Sequence, residues 1–277
     1  MGSDRTNQEI AIHNAQVISD LEEYLHNLTK QGDPNDKRAD KITQWVEVWT
    51  KHLKNEKRFN PKSISAFKRG SIVYVDLGFN VGSEYGGVHY GIVLNKIDSR
   101  KNHLLHILPL TSTKVSTDTN NLKYFQLNLD NEVHKLLIQK AMNRIAESKE
   151  KEKELKDKRK IQNDKIKELE KLLKLQDISN INKDFENYFN QEIKSIEDSI
   201  LEINSLLSAY QQQIEYTIRL IEKINKLKEG SIALLNQFTT ISKMRLLDPV
   251  NKNSLLTDIV LSTETMEKID NALNNIF

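Results

Sequence analysis

Between Lys68 and Ser112 the chain gathers side chains able to exchange protons: Glu84, Tyr85, His89, His103 and His106. Histidine titrates near neutrality, which suits it to proton transfer. His89 opens an apolar run directly behind Gly86-Gly87-Val88. His103 and His106 lie three apart on a run of strand character, hence on opposite faces, and cannot jointly bind a metal from that strand. Lys96, Arg100 and Lys114 follow apolar runs and offer local positive charge. The chain has no cysteine, which removes disulfides and thiolate metal sites. It also has no P-loop, dinucleotide fingerprint or zinc spacing. No metal and no cofactor are expected.

Positioning these groups falls to three runs of strand length, Ser71 to Leu77, His89 to Asn95 and Leu104 to Leu110, each rich in Val, Ile, Leu and Tyr. Five of the nine glycines fall between Gly70 and Gly87. Such crowding marks backbone with φ > 0 or a close approach by something, or a tight connection in a small barrel. A polar loop, Thr113 to Asn121, leads to a further strand over Lys123 to Leu129.

The flanks read as helix. Ile10, Val17, Leu21, Leu25 and Leu28 form one stripe, and Gly32-Asp33-Pro34-Asn35 stops it. Ile42, Trp45, Val46, Trp49 and Leu53 then recur at helical spacing, which predicts a buried face carrying both tryptophans. That face packs on the first helix and the barrel, or docks a partner. From Asn131 to Gln176 there is neither Gly nor Pro, and Asp177 to Lys183 breaks the pattern. The return arm carries Ile193, Ile196, Ile200, Ile203, Leu207, Tyr210, Ile214, Thr217, Ile221 and Ile224. That alternating three-four spacing predicts a coiled coil. The outward arm is patchier, with Leu155, Gln162, Ile166, Leu169 and Leu173 as its seam. Its Lys/Glu middle alternates in sign and makes a poor phosphate binder.

A net charge of +2 demands no nucleic acid in bulk, so any such site must be local. No apolar run approaches the roughly 20 residues that cross a membrane, and no signal-peptide core opens the chain. These features predict a soluble cytoplasmic protein with no membrane partner.

Arg69-Gly70-Ser71-Ile72-Val73-Tyr74-Val75-Asp76-Leu77, Gly82-Ser83-Glu84-Tyr85-Gly86-Gly87-Val88 and Pro109-Leu110-Thr111-Ser112 together resemble the PemK/MazF family of toxins. The segment from Gly230 to Leu246 resembles the family's later block, and Leu256 to Phe277 its closing helix. The resemblance implies an α+β fold, an SH3-like β-barrel of PemK/MazF type. The barrel would carry an N-terminal helical hairpin (1–66) and an inserted antiparallel coiled coil (131–228), its own parts being 67–130 and 229–277.

It further implies a toxin-like, metal-independent endoribonuclease that cuts single-stranded RNA to 2′,3′-cyclic phosphate and 5′-hydroxyl ends. Its partners would be an antitoxin protein and, in a homodimer, a second copy of the chain. Where the family usually has an arginine this chain has His89, shorter and without a bidentate fork but able to shuttle protons. Thr111 and Ser112 match the family's hydroxyl pair, so the resemblance makes His89, Thr111 and Ser112 the catalytic set. Substrate binding falls to Ser83, Glu84, Tyr85, Gly87, Lys114, Asn236 and Gln237. Of these, Glu84 and Tyr85 contact a base or cap the turn. Asn236 stands where family members often place an acid, so it orients substrate without exchanging protons, and Gln237 supports the loop. The alternative is a catalytically silent member whose helices bind protein or nucleic acid.

Overall fold

The computed structural model describes residues 5–113, 118–175, 183–226, 230–251 and 254–276. They divide into two compact units, 1–110 with 234–254 and 111–233 with 255–277.

The first unit begins with α1 (Asn7–Lys30) and α2 (Asn35–Asn55). Thr6 and Glu9 close α1 with a capping box, each side chain bonding the other's backbone N–H. Leu28, Ala39 and Ile42 are buried where the helices meet, with Leu21, Leu25, Val46 and Phe79 packed around them. The expected apolar faces are only partly covered. Ile10 and Val17 lie on the solvated half of α1, and Trp49 is 50% exposed, so only one tryptophan, Trp45, is drawn inward.

Strands β1 (Ile72–Asp76) and β2 (Val88–Val93) pair antiparallel in a register that sets Val75 opposite His89. The long β3 (Leu104–Ser112) pairs with β2. Its first half, Leu104 to Ile107, pairs with β6 (Thr239–Ser242), and β7 (Leu246–Asp248) pairs with β1. The alternate apolar residues of these strands make the core, in which Val73, Val75, Val93, Leu105 and Ile107 are fully buried. Each contributes about 1.5–3 kcal/mol relative to exposure.

Inside this unit lies an ion pair with both side chains wholly buried. Lys243 Nζ donates to Asp98 Oδ2 at 2.8 Å and to the Ser99 carbonyl at 3.0 Å, and the Phe67 N–H donates to the same carboxylate at 2.9 Å.

The second unit holds β4 (Gln126–Asn128), α3 (Glu132–Leu175), α4 (Lys183–Lys226), most of β5 (Ser231–Leu234) and α5 (Thr263–Asn274). Every seam residue read in the return arm is buried or half-buried on α4. Gln211 Nε2 donates to Glu152 Oε1 at 3.3 Å and Arg159 to Asn204 Oδ1 at 3.3 Å, so the partner number falls as the α3 number rises and the arms are antiparallel. Leu155 packs with Ile203, Leu207 and Tyr210. The seam crosses the Lys/Glu middle at Ser148, which is small enough to be buried there. Glu132 anchors the start of α5, accepting from the Ser262 N–H at 2.6 Å and from the Thr265 hydroxyl.

The expected barrel is not formed. The strands run β4-β5-β3-β2-β1-β7, with β6 off this path on β3. Closure requires the two end strands to hydrogen-bond each other. Here β4 and β7, three residues each, end an open path among the described residues. The fold is an α+β sheet with extra helices.

Candidate functional site

Joining β1 to β2 is a loop built on glycine. Gly78 and Gly82 have φ of +76° and +62°, a region side chains disfavour. At Gly78 a second constraint operates, because a Cβ would stand 2.6 Å from Cζ2 of Trp45. The indole of α2 therefore rests directly on the loop backbone. Behind it, the Arg245 guanidinium stacks over Trp45 at 5.1 Å while Arg245 Nε donates to the Asp76 carbonyl at 2.8 Å. Burial lowers the pKa of Arg245, opposed by the charge of Asp76.

The loop is tied internally and from outside. The Leu77 N–H donates to the Gly87 carbonyl at 2.8 Å, the Gly87 N–H to the Gly78 carbonyl at 2.7 Å, and the Gly78 N–H to Asp76 Oδ1 at 2.8 Å. Asn80 Nδ2 donates to the Tyr85 carbonyl at 2.9 Å. Gln237, on the 3₁₀ turn Leu235–Gln237, accepts from the Tyr85 N–H at 3.0 Å and donates to the Ser83 carbonyl at 3.3 Å.

His89 lies at the loop's end and both ring nitrogens are engaged. Nε2 is 3.0 Å from the Gly86 carbonyl, which can only accept, so the partner assigns the proton of the neutral ring to Nε2. Nδ1, 3.0 Å from the Tyr85 hydroxyl, then accepts. Burial lowers the pKa of His89, with the Gly86 hydrogen bond opposing, so the ring is neutral at neutral pH. When His89 does take a second proton, Nδ1–H donates to the tyrosine oxygen. The phenolic hydrogen then turns to the Leu110 carbonyl at 3.4 Å. Tyr85 and His89 thus form a coupled pair, with ring centroids 4.2 Å apart.

A cleft of about 670 Å³ opens beside this pair. Asp76, Glu84, Gly87 and His89 line it from the sheet and loop, and Arg38, Lys41, Gln44 and Trp45 line it from α2.

Ser83, Glu84, Tyr85, Gly87, His89 and Gln237 come together in the first unit. Asn236 is exposed on its turn, and Thr111 and Ser112 end β3 within the second unit. Lys114 lies outside the described residues. His103 meets Phe59 edge-on at 6.1 Å, and His106 Nδ1 lies 2.8 Å from the Thr240 hydroxyl. Among the described residues no three His, Cys, Asp or Glu side chains group to hold a metal ion, and no helix is long and apolar enough to cross a membrane. Sequence reasoning missed Arg38, Lys41 and Gln44. Their only signal was position: Arg38 lies four before Ile42, Lys41 four before Trp45 and Gln44 directly before Trp45, beside the buried stripe.

Residues 68–196 match the family model of the PemK-like, MazF-like toxin of type II toxin-antitoxin system. The match takes in β1 to β4, α3 and the first part of α4, and ends before Gln237 and Lys243. No curated protein matches the chain.

Proposed function

We propose that this PemK/MazF-type chain is an endoribonuclease of toxin type, acting on single-stranded RNA and restrained by an antitoxin protein. The observation that carries the reading is the open cleft in which a neutral His89 stands beside the glycine loop, within the family-matched segment. In the proposed reaction a base removes the proton of a ribose 2′-hydroxyl, and that oxygen bonds to the adjacent phosphorus. The bond from phosphorus to the 5′ oxygen breaks, and the leaving oxygen takes a proton. The products are a 2′,3′-cyclic phosphate and a 5′-hydroxyl. A neutral imidazole can be the base once the 2′-hydroxyl replaces one of its two internal partners. The hydroxyls of Thr111 and Ser112 are assigned phosphate contacts by the family resemblance.

A second reading has an observation of its own. Both nitrogens of His89 are spent inside the loop and Asn236 cannot exchange protons, which fits a silent site whose helices bind a partner.

Digestion of single-stranded RNA in EDTA, wild type beside His89→Ala, separates the two. Cleavage with cyclic-phosphate ends, falling about 10²–10⁴-fold in His89→Ala, supports the nuclease. Because burial lowers the pKa, the activity should rise with pH on a limb below the ordinary imidazole value and be flat at neutrality. Products ending in a 3′-hydroxyl, or equal rates in both proteins, remove His89 from the mechanism. An inactive wild type with an active His89→Arg identifies a silenced site.

A further inference from the structure

Helix α2 forms a wall of the cleft without filling it, and the groups it turns toward the space are chemically one-sided. Arg38, Lys41 and Gln44 line the cleft from this side and no carboxylate does. Lys37 and Lys51 on the same helix pair with Asp33 and Glu47, whereas Arg38 and Lys41 have no ion pair among the described residues. Arg38 is held by its flat face. Its guanidinium lies over the Phe79 ring at 5.0 Å, and Phe79 itself packs into the core between α1 and α2. Stacking occupies the face of a guanidinium and leaves its in-plane N–H fork available, the arrangement that takes a phosphate bidentately. Opposite stand the carboxylates of Asp76 and Glu84. Asp76 accepts from the Gly78 N–H, and its charge acts on the Arg245 guanidinium. Glu84 is exposed.

We propose that α2 is the phosphate-holding wall of this cleft, with Arg38 and Lys41 binding the backbone of single-stranded RNA. The inference rests on the ribonuclease reading for the identity of the strand. It supplies what His89 cannot, a fixed cation with a bidentate fork. A helix placed to plug a phosphate site would present carboxylates in the phosphate's place, and α2 presents the opposite charge.

The test uses the full chain and a single-stranded RNA made uncleavable by 2′-O-methylation, with binding followed by fluorescence anisotropy across a salt series. Arg38→Gln/Lys41→Gln is compared with Lys37→Gln/Lys51→Gln, which removes the same charge from the same helix outside the cleft lining. The first pair should weaken binding roughly ten-fold and reduce the slope of log affinity against log salt by about 1.4, two contacts of about 0.7 each. The control pair should do neither. Cleavage of unmodified RNA should show a raised KM with kcat little changed. Equal losses in the two pairs, or no loss in the first, overturn the proposal. Faster cleavage by the first pair also overturns it, because α2 would then shield the site. If melting shows that Arg38→Gln harms the fold, Lys41→Glu alone decides, since Lys41 is exposed. Binding without cleavage by the wild type, lost only in the first pair, keeps the phosphate wall and removes the nuclease. No binding by the wild type removes the wall, whatever the cleavage.

Discussion

His89 shows how burial converts a surface-type residue into a neutral one. The folded protein takes up its second proton less readily than the unfolded chain does. The unfolded state therefore binds more protons as pH falls, and stability from this group declines with it. It is complete above the ordinary imidazole pKa of about 6.5 and is lost from there down toward the folded value. Urea melts between pH 8 and pH 5 should show this decline in the wild type and lack it in His89→Gln. A decline of the same size in both proteins would place its origin elsewhere. The Tyr85 partner was not legible in the sequence, because a spacing of four carries no meaning in a loop. Only the fold brings the phenol 3.0 Å from the ring.

At the scale of elements, the glycine loop and α2 were both readable, but their meeting was not. Hydrophobic spacing says which face of a helix is apolar and nothing about whether a partner covers it. Hence the stripe on α4 from Ile193 to Ile224 is covered along its length, while that on α1 is bare at Ile10 and Val17. The strands β1, β2 and β3 matched their apolar runs to within two residues at every end. Openness of the sheet was invisible, since it depends on which short strands fail to pair. The contact of Trp45 with Gly78 can be isolated by comparing two glycines. Gly82→Ala meets only backbone strain, with nothing within 4 Å of the new methyl, and should cost about 1–2 kcal/mol. Gly78→Ala adds a collision with the indole and should cost at least about 1 kcal/mol more by urea denaturation. Equal losses would mean that the indole simply moves aside.

For the whole molecule, the buried Lys243–Asp98 pair matters most, because it joins positions 145 apart in the chain. Removing one partner leaves a charge without compensation, so Lys243→Met should lose about 3–5 kcal/mol. Asp98→Asn/Lys243→Met should recover much of it, since the amide oxygen can still accept from the Phe67 N–H. A double variant as unstable as the single would show that the lysine contributes through packing alone. The same separation has a meaning in time. A ribosome adding roughly 5–20 residues per second needs on the order of ten seconds to travel from Asp98 to Lys243. For nearly all of that interval, until Gln237 is added, the nascent chain holds the glycine loop but lacks Gln237, Lys243 and Arg245. Translation that aborts anywhere in the long helices therefore leaves a fragment that carries every residue lining the cleft, 38–89, but none of the braces that Gln237 and Arg245 give its loop.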